Sequence, residues 1–162
     1  MAKRPGGTPA LLALDAAHVE YVLHEYEHDP RFDKGFGLEG AEKLGIDPDR
    51  VFKTLCAFVD GSLSVGIVPV SRHLDLKALA AALGGKKADM AKPADAERAT
   101  GYVVGGISPL GQKRAHPMVI DESALAWNTI LVSGGRRGLD IELAPSVLAH
   151  LVSARFAAIA KA

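Results

Sequence analysis

The chain has almost no cysteine. Cys56 is its single cysteine in 162 residues, so an internal disulfide is excluded and no set of cysteines is present that would hold a structural zinc ion. A lone thiol suits a reducing compartment. We therefore expect a cytoplasmic protein.

The chain also has no excess charge, because 19 lysine and arginine residues balance 19 aspartate and glutamate residues. A neutral chain has no long-range field that would draw it onto DNA, so contact with RNA must rely on local basic patches. Apolar stretches are short, and residues 1–9 carry Lys3 and Arg4 without the apolar run of a signal peptide. We expect neither a DNA partner nor a membrane partner.

Several sequence motifs of common enzyme classes are missing. The chain has no Gly-x-Ser-x-Gly elbow, no Walker loop and no dinucleotide fingerprint, so hydrolases of that type, nucleotide triphosphatases and dehydrogenases lack support. His24 and His28 have the spacing of a helical metal pair, but they fall in a predicted strand and no third ligand is evident. We expect neither a metal nor a cofactor.

The length and the composition predict one globular domain over residues 8–162, after a flexible leader at residues 1–7. Thr8 and Pro9 form a helix start, since a threonine hydroxyl caps free amides and proline fits the first turn. Similar start and stop signals predict helices over residues 9–17, 38–44, 76–83 and 93–99 and from Pro145 onward, with a loop at residues 31–37.

Strands are predicted over residues 19–26, 51–59, 63–68, 118–121, 130–133 and 139–143. Asp60 and Gly61 tolerate the positive φ of a tight turn and therefore predict a hairpin between the second and third of these. Gly134, Gly135 and Gly138 are assigned to the turn between the last two predicted strands, residues 130–133 and 139–143. Irregular alternation of helices and strands predicts an α+β domain with a mixed or antiparallel sheet.

Lys53 is unusual because it lies within an apolar strand. An unpaired charge in a core is costly, so its ammonium either escapes to the solvent or is kept for a ligand. Cys56 alternates to the other strand face and has no neighbouring base, so we interpret it as a core residue. Tyr26 shares a strand face with His24 and has a hydroxyl that either contacts a ligand or simply packs with its tip in water.

Two glycine-rich segments complete the candidates. Residues 105–111 combine three glycines with Pro109, and such a loop brings backbone amides close to a ligand or an oxyanion. Residues 133–140 add a hydroxyl, two cations and a carboxylate. Basic pairs at residues 113–114 and 136–137 adjoin these loops and either hold a phosphate backbone or remain solvated.

Four segments, YEHD at residues 26–29, FKTL at 52–55, GGISPLG at 105–111 and SGGRRGLDIEL at 133–143, resemble the YbaK/EbsC family. The similarity is greatest to its bacterial Cys-tRNA(Pro) deacylases, relatives of the editing domain of prolyl-tRNA synthetases. The resemblance implies an α+β domain with a mixed, largely antiparallel, barrel-like sheet flanked by helices. It also implies a hydrolase that acts on mischarged tRNA(Pro) and that meets its substrate beside prolyl-tRNA synthetase.

The resemblance further implies which residues form the site. Lys53 would contact the tRNA 3′ end or the ester, with Gly105 and Asp140 as the other catalytic positions. The remaining implied pocket positions are Tyr26, Phe36, Thr54, Gly106, Ile107, Ser108, Pro109, Ser133 and Gly135. Of these, Phe36 lies in a loop that departs from the family pattern and holds an insertion, which leaves the choice of amino acid less defined than the reaction.

The implied chemistry needs no protein nucleophile, because the thiol of the substrate attacks its own ester carbonyl and leaves as a thiolactone, while the protein positions and polarises the carbonyl. Three alternatives stay open. The chain could clear alanine from tRNA(Pro) with an activated water, bind a tRNA end or a nucleotide without cleaving it, or dock on a synthetase as a structural domain.

Overall fold

The structure is a computed structural model that describes residues 7–32 and 35–162. Apart from Gly7, the predicted leader lies outside the described residues. Five α-helices occur in the described ranges. They are α1 (Pro9–Ala17), α2 (Phe36–Leu44), α3 (Leu76–Ala82), α4 (Pro93–Thr100) and α5 (Pro145–Val152), and a 3-10 helix spans Glu122–Ala126. None of these helices is long and apolar enough to cross a bilayer.

Ten strands accompany the helices in the same described ranges. They are β1 (Val22–Glu25), β2 (Phe52–Val59), β3 (Ser62–Pro69), β4 (His73–Leu74), β5 (Ala88–Met90), β6 (Met118–Asp121), β7 (Ile130–Arg136), β8 (Leu139–Leu143), β9 (Arg155–Ala157) and β10 (Ala160–Lys161). The largest sheet has the order β5-β2-β3-β6-β9, a second has the order β1-β8-β7, and β10 pairs with β4. Only the β3–β6 and β6–β9 pairs of the ladders are parallel.

This arrangement confirms the predicted α+β domain with mixed, largely antiparallel strands. The two larger sheets touch through one parallel bridge between Val51 and Leu131, where the Leu131 amide donates to the Arg50 carbonyl at 3.1 Å. Beyond that bridge β2 and β7 separate. Within the described ranges the sheets do not close into a barrel. The predicted barrel-like sheet is therefore not a closed barrel.

Local signals place several elements where they were predicted. The Thr8 hydroxyl caps α1, and Asp75 caps α3 by accepting from the Ala78 amide. Asp60 and Gly61 both have positive φ and join β2 to β3 in an eight-residue antiparallel ladder. The predicted hairpin is therefore confirmed.

Other boundaries were wrong. Helix α2 begins at Phe36, inside the predicted loop, and β1 is shorter than the predicted strand. Gly134 and Gly135 belong to β7, where the register shifts between Ser133 and Arg136, so Arg137 and Gly138 alone form the turn. The short strands β4, β5, β9 and β10 were missed, since two or three residues carry no periodic pattern and only their partners define them.

The core lies between the sheets and the helices. The main cluster joins α1, α5, β3, β7 and β8, a second lies under α3, and a third packs α2 against Val51 and Leu131. Asp121 is buried, and its carboxylate accepts from the amides of Ser123, Ile159 and Ala160. This carboxylate ties the C-terminal segment to β6.

Thr8→Ala tests the α1 cap. The hydroxyl accepts from the Leu11 amide at 3.3 Å and donates to the Gly134 carbonyl at 2.5 Å. Losing both bonds should lower the free energy of unfolding by about 1–2 kcal/mol in urea titrations. Thr8→Ser keeps the hydroxyl and should recover most of this loss, whereas equal losses in both variants would show that the methyl group matters instead.

Candidate functional site

A cavity of about 300 Å³ opens where β2 and β7 separate. Strand β2 forms one wall, Ser133 of β7 and Asp140 of β8 form the opposite wall, and α2 and the loop after α4 close the sides. The lining residues are Tyr26, Phe36, Gly37, Val51, Phe52, Lys53, Thr54, Leu55, Cys56, Met90, Ala91, Pro93, Ala96, Val104, Gly105, Ile107, Ser133 and Asp140. The space suits a small ligand with both apolar and polar groups.

Lys53 is partly buried in the wall of this cavity. Burial lowers the pKa of its ammonium, because a desolvated cation is less stable than a hydrated one. No carboxylate within the described ranges forms an ion pair with it. An ammonium held this way is available to polarise a carbonyl or to bind an anion.

Asp140 faces the cavity from β8. It is 8% exposed, and burial raises the pKa of its carboxyl from 3.8 to about 7, although the charge of His24 acts in the opposite direction. The cross-strand pairs Ser133–Asp140 and His24–Asp140 fix its position in the sheet. A carboxyl of this kind can change its proton occupancy near neutral pH.

Tyr26 lies beside Asp140 against α2. Burial and the neighbouring carboxylates of Asp140 and Glu39 raise the pKa of its phenol, so it stays protonated. A Cβ at Gly40 would lie 3.0 Å from the Asp140 Oδ2 and 3.2 Å from the Tyr26 hydroxyl. Gly40 therefore lets α2 pack tightly against this pair, and a larger residue there would require Asp140 or Tyr26 to shift.

Phe36 and Gly105 lie against each other at the cavity, and Arg137 supports them from outside its lining. Gly105 has φ +91°, and a Cβ there would lie 2.7 Å from the Phe36 ring. The Arg137 guanidinium lies 4.6 Å from the centre of the same ring and donates two hydrogen bonds to the Val104 carbonyl, at 2.8 and 3.0 Å. Arg137 thereby joins the β7–β8 turn to the glycine loop.

Four predicted positions are not among the lining residues. Gly106 packs against the backbone of Arg136, and Ser108 is fully buried with its hydroxyl accepting from the Leu110 amide. Pro109 is buried, and a Cβ at Gly135 would meet Thr8 and Tyr102. These residues shape the loop and its support, while Lys53, Gly105, Asp140, Tyr26, Phe36, Thr54, Ile107 and Ser133 line the cavity.

Thr54 and Cys56 lie on the core face of β2. Cys56 is 4% exposed, and burial raises the pKa of its thiol to about 11, so it does not serve as a thiolate at neutral pH. Thr54 is 9% exposed, and its buried hydroxyl has no hydrogen-bond partner among the described residues. A buried hydroxyl beside a cavity suits a bound polar ligand.

The remaining polar candidates form separate contacts. His24 pairs with Glu142, which also accepts from Arg50 and Thr129, and His28 pairs with the buried Glu39. The two histidines therefore do not converge, and the described ranges hold no group of three potential metal ligands. Of the basic residues, Arg136 bonds Glu25, whereas Lys113 and Arg114 are exposed.

Sequence reasoning missed part of the apolar lining. Met90, Ala91, Pro93, Ala96 and Val104 line the cavity but carry no chemical signal in the sequence. It also missed Glu39, which is 1% exposed and organises His28 and the Asp29 amide. Although burial opposes ionisation, bonds from His28, Asp29 and Lys43 lower the pKa of Glu39.

Comparisons with known proteins identify the family of this chain. Residues 38–151 match the sequence model of the family described as the aminoacyl-tRNA editing domain. A protein of Enterococcus faecalis named as a proposed Cys-tRNA(Pro)/Cys-tRNA(Cys) deacylase, EbsC, is 43% identical over 153 residues, which cover 94% of this chain and 92% of that protein.

Two further matches are more distant. The proline–tRNA ligase of Maridesulfovibrio salexigens is 30% identical over 100 residues, which cover 62% of this chain but 17% of the ligase. The crystal structure of a proposed trans-editing enzyme for prolyl tRNA synthetase superposes with a TM-score of 0.83 at 22% identity, covering 99% of this chain and all of that one. The structural match supports the fold.

Asp140→Asn tests the buried carboxyl through the pH dependence of stability. The raised pKa stabilises the fold fully below about pH 4, and this stabilisation is lost as the pH rises through about 7, because the folded carboxyl must then ionise against its burial. The asparagine side chain of the variant cannot ionise, so the variant does not lose stability in this way. Urea titrations should show its stability rising relative to the wild type between pH 4 and 7, by on the order of a few kcal/mol.

Asp89→Asn is the matched control, because its side chain is 68% exposed on β5. Its stability should follow the wild-type curve over the same range. If the Asp140→Asn curve also ran parallel to the wild type, the raised pKa would be refuted.

Proposed function

The chain belongs to the aminoacyl-tRNA editing domain family, and we propose that it is a hydrolase that removes cysteine from mischarged proline tRNA by cleaving the aminoacyl ester. Both the match over residues 38–151 and the similarity to EbsC support this reaction. The cavity between β2 and β7 is the site we assign to it.

The observation that carries the proposal is the Lys53 ammonium, which lines the cavity with no ion-pair partner among the described residues. A fixed cation stabilises the negative charge that forms on an ester carbonyl oxygen during attack, and low local polarity strengthens that effect. Gly105 and Ile107 of the glycine loop close one side of the same cavity. Lys53 thus has the environment expected of a group that polarises the ester.

The proposed reaction uses a nucleophile from the substrate. The cysteine sulfur attacks its own ester carbonyl, the bond to the ribose oxygen breaks, and the thiol proton ends on that oxygen, which releases a thiolactone and tRNA. Cys56 is excluded as a nucleophile by its raised thiol pKa. The protein contributes orientation and polarisation, which are the terms that accelerate an intramolecular attack.

The proposed substrate suggests a protein partner and a cellular compartment for the chain. Mischarged tRNA(Pro) is made by prolyl-tRNA synthetase, so we propose that the chain acts beside that enzyme in the cytoplasm. The partial match to a proline–tRNA ligase supports a shared domain but covers 17% of the ligase. Exposed Lys113 and Arg114 are candidates for phosphate contacts.

Lys53→Met should abolish most of the activity, with a loss of about 100-fold or more in kcat/KM for Cys-tRNA(Pro). Stability should be unchanged or higher, because methionine removes a desolvated charge from the cavity wall. Lys77→Met, an exposed position on α3, is the matched control and should keep both properties. Full activity of Lys53→Met would refute the assigned role.

The choice of amino acid distinguishes the two chemical routes. With Cys-tRNA(Pro) and Ala-tRNA(Pro) as parallel substrates, the thiol route predicts rapid release of cysteine and release of alanine close to that in an enzyme-free reaction. Comparable release of alanine would instead favour an activated water. Binding of the charged tRNA without release of either amino acid would favour a non-catalytic binding module.

A further inference from the structure

Strand β2 has an open edge at the cavity. On one side β2 pairs with β3 along its whole length, but on the other side β5 pairs only with Ala57, Phe58 and Val59. The other neighbour on that side, β7, pairs with this part of the described chain at the bridge between Leu131 and Val51, the residue before β2. Within residues 7–32 and 35–162, no strand lies beside the stretch between these contacts.

The directions of the backbone groups follow from the hydrogen bonds around this stretch. The Cys56 carbonyl accepts from the Ala91 amide, and the Val65 amide opposite Cys56 donates to the Pro117 carbonyl. Cys56 and Val65 thus point away from each other. Since such pairs alternate in an antiparallel ladder, Thr54 and its partner Ile67 also point away from each other.

Thr54 therefore turns both its amide and its carbonyl toward the cavity. No hydrogen bond joins either group to the residues that the structure describes. Unpaired backbone groups beside a cavity favour a ligand that can complete the ladder. The buried Thr54 hydroxyl, which also has no partner in the described ranges, lies at the same place.

Between the bridge and β5, three residues of β2 turn their backbone groups to this side, namely Phe52, Thr54 and Cys56. The Cys56 carbonyl is occupied by the Ala91 amide, and Phe52 directly follows the bridge at Val51. Thr54 lies midway between these contacts and offers both a donor and an acceptor. A single aminoacyl group presents one donor and one acceptor at the spacing of one residue, which is what this edge can pair with.

We propose that Thr54 binds the aminoacyl group of the substrate as one residue of a β-ladder. The α-amino group donates to the Thr54 carbonyl, and the Thr54 amide donates to the ester carbonyl oxygen. This inference rests on the proposed function and deepens it. The contact polarises the ester from the side of β2. It binds the amino and carbonyl groups that all aminoacyl groups share, so the rest of the cavity selects the side chain.

Amide hydrogen exchange and NMR of the full chain test the contact without turnover. In the free protein, the Thr54 amide should exchange about 100-fold faster than the amides of Lys53 and Leu55, which the ladder with β3 protects. The probe is 3′-alanylamino-3′-deoxyadenosine, whose amide replaces the ester. Binding should shift the Thr54 amide resonance and slow its exchange at least tenfold, while 3′-amino-3′-deoxyadenosine, which lacks the aminoacyl group, should not.

The outcomes separate this contact from the proposed function. If the probe shifts other cavity amides such as that of Gly105 but leaves Thr54 unchanged, the ladder contact is refuted and the site remains. If the probe at millimolar concentration shifts no amide, the cavity does not take an aminoacyl adenosine, and both proposals are refuted.

Two substitutions give an independent test by kinetics. Thr54→Pro removes one amide that points away from β3, and proline is tolerated at such an edge, so the variant should fold and lose about 100-fold or more in kcat/KM. Thr54→Val keeps the amide, so its loss in kcat/KM should be at least tenfold smaller than that of Thr54→Pro. Leu55→Pro removes a ladder amide and should unfold the chain. A folded Thr54→Pro with near wild-type activity would overturn the proposal, and if it fails to fold, the exchange experiment decides.

Discussion

The site depends on the single bridge between Val51 and Leu131. This contact joins the start of β2 to β7, and both side chains are buried against Ala41 of α2. Because the strands meet at one point and then separate, a cavity opens between them. The same cluster sets the position of α2, which brings Phe36 to the cavity and packs Gly40 against Asp140 and Tyr26. The sheets, the helix and the site therefore share one constraint.

Polar groups at the cavity are held in states that cost stability. Lys53 is a desolvated cation, Asp140 is a carboxyl with a pKa of about 7, and Thr54 keeps a buried hydroxyl without a partner in the described ranges. Buried carboxylates away from the cavity have partners, as Glu39 has in His28 and Lys43 and as Asp121 has in three backbone amides. The contrast follows the general rule that unsatisfied groups concentrate where a ligand binds.

Much of the fold was predictable because local chemistry marks it. Thr8 with Pro9, Asp75, and Asp60 with Gly61 are caps and turn residues whose backbone requirements act over a few positions. The start of α2 was not predictable, since Gly35 at its N-cap makes no side-chain bond and the helix is held by packing. Nor was the bulge in β7, where Gly134 packs on Leu139 of the neighbouring strand.

The sequence by itself determined the short-range elements, the α+β class and, through four motifs, the family. Those properties depend on backbone preferences and on the order of residues along the chain. Only the tertiary structure decided which motif residues meet, since Lys53 and Ser133 line one cavity whereas Ser108 and Gly135 support it from behind. It also decided the pKa of Asp140 and the direction of the Thr54 backbone, because burial and strand pairing arise from residues that are distant in the sequence.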